Sequence, residues 1–524
     1  MSPAPALPES KDLSHHLTKR ILAQTPSVMK AYGKLLQARK TPPVSLAGGL
    51  PHHTLFPLQH AEFRIPSFHS LDGDVGSWID GTAETENVHL NKTGPGTEND
   101  EDGILDFNLV LQYGLTNGYP ELHEKLAEYN HLVHGQTTAD QSVYLTLGNT
   151  DGVSKVFQLF IEPGDNVLAE EYSFASSLNS GRARGAVWWP VKIDGHGLIP
   201  EDLDRVLTEW DEATQGKKPH LLYTIPAGQN PTGTVQPAER YDAIYAVAQK
   251  HDIVIAEDDP YFPLQYTPYE PDAEKRAAHF AAARASLPPL PEKPNDEDAR
   301  AVAKVFNEYA NIRSYLSRDV DGRVLRIDTF SKVFGPGIRT GWVTASAAFQ
   351  DRLQRVGETS TQVPNNVGQA LLASYLSDKH WGVGGWLRWV FGVRLEYQRK
   401  RDYFLDKLAE YAPKDIVSTV PALGGMFQWL EIAIDKHPRF ERTVVDGVEK
   451  TNTQELIDEL WSFILEQGNV LVMPAKLFQV TAPGGDETAR ANKFRATFAG
   501  DLPTIDKALK GFGEAVELFF KEQK

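Results

Sequence analysis

The sequence predicts an α/β fold, a mainly parallel sheet between helices, followed from about residue 373 by a smaller α+β domain. Short apolar, β-branched runs at 144–147, 167–171, 221–225, 253–256 and 324–327 alternate with helix-length amphipathic segments. Strands joined by helices of that length pair in parallel, and the ends of such strands share one rim. After 373 the pattern changes to long amphipathic stretches such as 386–411 and then the strand-like 425–432. The chain of 524 residues has room for two or three domains. The expected division is an arm and flap over 1–105, a large domain over 106–372 interrupted by an insert at 267–322, and a small domain over 373–524.

Bulk properties narrow the class. A formal net charge of −17 and the lack of a Lys/Arg-rich run argue against nucleic acid or an anionic membrane as partner. The chain has no cysteine, which removes disulfides, thiolate metal sites and thiolate nucleophiles; no metal is called for. No apolar run reaches the roughly 18 residues of a membrane span. The first twenty residues lack an apolar signal core, and Glu9 and Asp12 argue against a transit peptide, so a cytoplasmic location is expected.

Taken in order, residues 1–45 read as an arm with prolines at 3, 5 and 8. The stretch 45–57, SLAGGLPHHTLFP, places Gly48 and Gly49 where a backbone without Cβ atoms can approach a ligand. Residues 72–105 are rich in Gly, Asp, Glu, Asn and Thr and read as a long polar loop or mobile flap. After LQYGLTNGYP a helix starts at Pro120, with Tyr113 in the preceding loop. The strand 144–147 leads into Gly148-Asn149-Thr150-Asp151-Gly152, which opens a helix with Val153, Val156, Phe157 and Phe160 on one face. Its free amides suit a phosphate, although Asn149 or Thr150 as an ordinary cap explains the same residues.

The strand 167–171 is followed by Phe174 in a loop, and 221–225 leads into PAGQNPTG at 226–233. A helix from Pro237 to about Gln249 precedes the strand 253–256, which ends in Glu257-Asp258-Asp259-Pro260-Tyr261. Three acids at a strand end fit a solvated turn, or a cleft where Asp258 and Tyr261 meet a cationic ring. The insert 267–322, with prolines at 288, 289, 291 and 294, reads as helices and a linker outside the chemistry. The strand 324–327 then delivers Thr329, Ser331 and Lys332 at its C-terminal end, where open α/β sheets hold ligands. The chain closes with a strand at 493–498 bearing Arg495 and a helix from about Pro503.

Lys332 is the residue on which the chemistry turns. Burial and nearby cations lower a lysine's pKa and leave a nucleophilic amine able to form a Schiff base. Thr329 and Ser331 add hydroxyls and Arg339 a guanidinium fork, a set suited to phosphate. An amine beside a phosphate cradle suggests pyridoxal 5′-phosphate, while a strand-capping surface lysine accounts equally well for this stretch alone.

Lys332 with Arg339, GQNPTG, EDDPY, LQYGLTNGYP, SLAGGLP and FRATFAG occur here in one order over about residues 20–524. That combination resembles the fold-type I pyridoxal-phosphate aminotransferases, among them the fungal aromatic amino acid and 2-aminoadipate enzymes and the related kynurenine/aminoadipate enzymes. The resemblance implies a large domain with a sheet of the seven-stranded type and a homodimer. It implies that Lys332 is the Schiff-base lysine and proton shuttle, that Asp258 pairs with the pyridinium nitrogen, and that Tyr261 and Asn230 hydrogen-bond the phenolic oxygen. Phe174 corresponds to the aromatic stacked on the ring. Asn149 and Thr150 by their amides, with Thr329, Ser331 and Arg339, correspond to the phosphate holders, joined by Tyr113 from the neighbouring subunit. Arg495 corresponds to the clamp on the substrate α-carboxylate, with Asn230 and the Gly49 backbone beside it.

The implied reaction is transfer of the amino group of an aromatic amino acid, 2-aminoadipate or kynurenine to 2-oxoglutarate. Phe427 and Phe478, with Leu50 and Phe56, suggest an aromatic side-chain pocket around Arg495. The chain departs from many relatives in the Asn-Thr-Asp of 149–151 and in its inserts at 72–105, 267–322 and 434–453. Three other readings compete. Decarboxylation or β-elimination would use the same cofactor and residues. An aminotransferase-like transcription regulator would need a DNA-binding domain for which the N-terminus has no room. A serine acyl-enzyme would use Ser27-Val28-Met29-Lys30 and Lys92-Thr93-Gly94, but no Ser-Asp-Asn lies between them.

Overall fold

The computed structural model describes residues 7–27, 41, 49–92, 104–445, 448–486 and 488–521. The largest sheet is built from Ser142–Thr146 (β1), Asn166–Glu170 (β2), Val187–Val191 (β3), Leu221–Thr224 (β4), Val254–Asp258 (β5), Val324–Thr329 (β6) and Gly341–Ala345 (β7). Every residue of β2, β4, β5, β6 and β7 is buried, which is why these runs are continuously apolar or end in satisfied polar groups rather than alternating. The strand order is β1-β7-β6-β5-β4-β2-β3. The β2–β3, β2–β4 and β4–β5 pairs are parallel, whereas β6–β7 and β7–β1 are antiparallel. The mainly parallel α/β reading is therefore correct, with β7, next to the edge strand β1, running antiparallel to both its neighbours.

The chain divides into two compact units. The first comprises Met1–Pro163, Leu287–Phe306 and Tyr315–Val390. It holds β1, β6 and β7, the helix Pro120–Val133 (α1) and the helix Asn149–Phe160 (α2). α2 buries Val153, Val156, Phe157 and Phe160, the face read from the sequence. It lies close on β6: a Cβ on Gly152 would come within 2.7 Å of Ile327 Cγ2. This unit also contains Asp298 and Arg388, both buried, with Arg388 Nη2 2.5 Å from Asp298 Oδ1. A guanidinium buried beside its carboxylate ties the second half of the insert into the unit. The second unit comprises Gly164–Ser286, Asn307–Ser314 and Phe391–Lys524. It holds β2 to β5 and a four-stranded antiparallel sheet of Val417–Thr419 (β8), Phe427–Ile432 (β9), Met473–Pro474 (β10) and Lys493–Thr497 (β11), in the order β8-β9-β11-β10.

One expectation needs correction. The stretch 72–105 is not a single loop or flap, because Thr85–Asn91 is a strand paired antiparallel with His60–Pro66 over seven residue pairs. Only Val88 and Leu90 of that strand are buried, so its period-two pattern rests on two residues among polar neighbours. Residues 93–103 of the expected flap, Gly48, and most of both penicillin-binding-type motifs lie outside the described residues. The insert at 267–322 forms the helices Ala273–Ala285 and Asp296–Glu308, and the one at 434–453 includes a hairpin of Arg442–Val445 with Val448–Thr451. Among the described residues no helix is long and apolar enough to cross a membrane.

Candidate active site

In the first unit, β6 ends at Thr329, and the chain then turns through Ser331 and the half-buried Lys332. Thr329 Oγ1 lies 2.9 Å from Ser331 Oγ, accepts the Ser331 amide at 3.2 Å, and donates to the Thr340 carbonyl at 3.1 Å. The two hydroxyls therefore belong to one braced turn. Arg339 stands in the left-handed region at φ 46° and places its guanidinium against the start of α2. Its Nη2 donates to the Leu147 carbonyl at 2.5 Å. Gly148 precedes α2 at φ 86° and ψ 175°, and a Cβ there would come within 2.7 Å of Arg339 Nη2. The arginine fits because that position is glycine.

No side chain caps the N-terminus of α2. Asn149 Nδ2 donates instead to the Ile327 carbonyl at 3.0 Å, tying the helix start to β6. Thr150 is exposed. Asp151 accepts the Leu147 amide at 3.0 Å and pairs with the buried Lys155 one turn on. Lys155 thus balances an acid that would otherwise oppose an anion at this helix start, a role the sequence reading missed although the i, i+4 spacing signals it. Amides at a helix N-terminus, two hydroxyls and a guanidinium form a donor set that fits a phosphate dianion. Lys332 follows Ser331 directly in the chain. Tyr113 is 63% exposed, and the Gln112 side chain beside it donates to the Pro51 carbonyl at 2.8 Å. Gly49 is exposed, and a Cβ there would meet nothing within 4 Å.

In the second unit, β5 runs two residues beyond the expected strand and ends on Asp258, which is 4% exposed. Asp258 Oδ2 accepts from the buried Tyr223 hydroxyl at 2.7 Å. Burial, followed by the charge of Asp258, pushes the Tyr223 hydroxyl well above its ordinary pKa, so it remains a donor. At the end of β2, Glu170 accepts from Thr224 Oγ1 at 2.5 Å and from the Ile225 amide at 2.9 Å. Burial still pushes its carboxyl up to about 7, with Asp258 adding to the rise. Tyr223 and Glu170 were not singled out in the sequence, because LLYT and VLAE read as ordinary buried strands.

Arg495 on β11 faces β9. Its guanidinium lies 4.2 Å over the Phe427 ring and 4.7 Å over Phe478, and Nη1 donates to Asn230 Oδ1 at 2.7 Å. Burial lowers the Arg495 pKa from its ordinary value. Tyr261 is buried with its ring edge-on to Phe427 at 5.8 Å, and burial raises its hydroxyl pKa above the ordinary value. Phe174 is half-buried at the start of the helix Ala175–Arg182. Beside it, Tyr172 packs on Trp429 at 5.3 Å and carries the Arg490 guanidinium 5.6 Å over its ring, while Arg490 pairs with Glu171. Arg495, Asn230, Phe427, Phe478 and Tyr261 are thus linked within this unit, while Leu50 and Phe56 belong to the other. A buried carboxylate suits a ring cation, and a half-buried guanidinium framed by aromatic rings suits a carboxylate on an aromatic molecule.

Comparison with known proteins gives one consistent result. The family model described as aminotransferase class I and II matches residues 91–512. An L-tyrosine:2-oxoglutarate aminotransferase of Serpula lacrymans var. lacrymans is 37% identical, with 97% of this chain and 96% of that protein covered. An aromatic amino acid aminotransferase of Schizosaccharomyces pombe is 34% identical over 98% of this chain and 99% of its own length. The crystal structure of the aminotransferase Aro8 from Candida albicans superposes with a TM-score of 0.82 at 32% identity, covering 98% of this chain and all of that one.

Proposed function

Because the chain belongs to the class I and II aminotransferase family, we propose that it transfers the amino group of an aromatic amino acid to 2-oxoglutarate, with pyridoxal 5′-phosphate as cofactor. The observation that carries the substrate class is Arg495, a guanidinium lying over Phe427 and Phe478 and hydrogen-bonded to Asn230. A cation so framed recognises a carboxylate while the rings around it favour an aromatic side chain. The named substrates of the Serpula lacrymans and Schizosaccharomyces pombe relatives support the same class. 2-Aminoadipate and kynurenine are proposed as further donors.

In this reading Thr329, Ser331, Arg339 and the amides of Asn149 and Thr150 hold the phosphate. Asp258 would balance the ring nitrogen, Phe174 would cover the ring, and Tyr261 with Asn230 would hydrogen-bond its phenolic oxygen. When bound, the cofactor supplies an electron sink and a temporary place for the amino group. Lys332 would hold the cofactor covalently at rest. Its Nζ then takes the proton from the substrate α-carbon, a general-base role that needs a neutral amine within hydrogen-bond reach. Arg495 grips the α-carboxylate common to donor and acceptor, and the Gly49 backbone is proposed as a further contact to it. The same site must accept the two substrates in turn, so the kinetics are ping-pong. We propose a cytoplasmic homodimer as the working form, with Tyr113 reaching the phosphate in the neighbouring subunit; its exposure in the single chain supports that assignment.

The test is a pair of half-reactions followed by cofactor absorbance. Tyrosine, phenylalanine or tryptophan should convert the bound cofactor to its amine form, and 2-oxoglutarate should restore it. Borohydride should fix the cofactor on Lys332. Release of carbon dioxide or ammonia without a keto acid would favour decarboxylation or β-elimination on the same residues. Activity confined to alanine or aspartate would defeat the aromatic assignment. Arg495→Lys should weaken every substrate, since an ammonium does not reproduce the planar fork.

A further inference from the structure

The antiparallel ribbon of His60–Pro66 and Thr85–Asn91 carries a set of side chains that the aminotransferase reading does not use. In an antiparallel pair, residues two apart on one strand and their direct partners on the other share one face. Glu62 stands directly opposite His89, and His60 directly opposite Asn91. His60, Glu62 and His89 therefore project from the same face, and one ligand atom from each lies within 4.8 Å of the others. The two imidazole rings are 5.5 Å apart, and His89 Nδ1 is 3.6 Å from Glu62 Oε2.

Two features go beyond proximity. His60 Nδ1 hydrogen-bonds Asn91 Oδ1. A histidine that donates from one ring nitrogen to a carbonyl oxygen presents the other as a lone pair, the arrangement that orients most metal-binding histidines. His60 is thereby set with Nε2 as its ligating atom. The second feature is the scaffold: the seven register pairs hold the three Cα positions, so only exposed side chains have to adjust. Zn–N and Zn–O bonds of about 2.0–2.2 Å put ligand atoms of one tetrahedral ion about 3.3 Å apart. Closing from 4.8 Å is a rotamer change rather than a backbone movement.

We propose that this face binds a divalent transition-metal ion through His60, Glu62 and His89, with Asn91 orienting His60. Two imidazoles and one carboxylate select Zn²⁺, Cu²⁺ or Ni²⁺ over Mg²⁺ and Ca²⁺, which prefer all-oxygen shells. Three protein ligands on an exposed face leave the fourth position to water or to a donor from another molecule. His89 also lines a cavity of about 550 Å³ with His69, Glu86, Lys293, Asp378 and His380.

The experiment is titration of the full-length, cofactor-loaded protein with ZnCl₂ by calorimetry, repeated with MgCl₂. One equivalent of Zn²⁺ should bind at micromolar concentrations and Mg²⁺ should not. His60→Ala and His89→Ala should each remove that equivalent. Glu62→Gln, a conservative change at an exposed position, should weaken it at least tenfold, and Asn91→Ala about tenfold through loss of orientation. His196→Ala, an exposed histidine of the other unit, should change nothing. Absence of binding overturns the proposal, as does Zn²⁺ affinity that is equal in wild type and the His60→Ala/His89→Ala double variant, or equal for Mg²⁺. Aminotransfer should be unchanged in all these variants, so the outcome is independent of the proposed reaction.

Discussion

If Asp258 meets a ring cation as proposed, its carboxylate has to be held ready inside a buried strand end. Tyr223 supplies part of that hold, with a hydroxyl 2.7 Å from Asp258 Oδ2 and too deeply buried to lose its proton. A hydrogen bond to a charged group is worth about 1.5–3 kcal/mol. If that is felt in the transition state, Tyr223→Phe should lower kcat about tenfold or more. The cofactor should still be retained, because the change leaves the phosphate holders untouched. Asp258→Asn should lose far more, since an amide does not balance the ring charge. A Tyr223→Phe enzyme with wild-type kcat would remove the hydroxyl from the mechanism. Asp258, Tyr261 and Asn230 stand out in the sequence because they sit in turn-rich motifs with polar residues that no core explains, whereas Arg495, inside a strand, stands out only through the resemblance of its motif. Tyr223 does not stand out, because a tyrosine in LLYT satisfies the pattern of a buried strand whatever its hydroxyl does.

The start of α2 shows the same contrast for an element. Its helical face was readable from apolar spacing, and Gly148 from its place between strand and helix. What spacing does not reveal is the partner across the turn. Arg339 fills the space where a Cβ would be, and Gly148 holds a backbone conformation that is essentially restricted to glycine. Gly148→Ala should therefore cost about 1–3 kcal/mol locally and displace the guanidinium from the α2 amides. Cofactor affinity, measured by equilibrium dialysis, should fall about tenfold or more, while far-ultraviolet circular dichroism stays unchanged. Equal affinity in the variant would take Arg339 and α2 out of the phosphate assignment. Five strands of the large sheet were placed to within two residues because burial makes them continuous apolar runs, whereas Val187–Val191 and Gly341–Ala345 were not picked out. The ribbon of 60–66 and 85–91 escaped because an exposed face supplies half its residues with polar side chains, leaving only a few apolar positions to mark the alternation.

At the scale of the molecule, the charge and the exposed apolar residues make opposite demands. Two chains of net charge −17 repel one another, and nothing in that balance favours association. Leu109, Tyr113 and Leu115, however, are 58%, 63% and 51% exposed within seven residues of the first unit. Large apolar side chains crowded into one short segment mark an interaction surface rather than scattered surface residues. Burying two leucines from each chain supplies about 1.5–3 kcal/mol per side chain, and the repulsion is largely screened once the Debye length falls to about 8 Å at physiological salt. The proposed homodimer should therefore tighten as salt is raised from low to physiological concentration, the reverse of an assembly held by ion pairs. Leu109→Asp with Leu115→Asp should shift the protein to a monomer in light scattering and release the cofactor, because Tyr113 then has no neighbouring phosphate to reach. Tyr113→Phe should leave the dimer intact and weaken only cofactor retention. A doubly substituted protein that stays dimeric would place the subunit contact elsewhere. A monomer that keeps its cofactor as firmly as wild type would show that Tyr113 does not act across the interface.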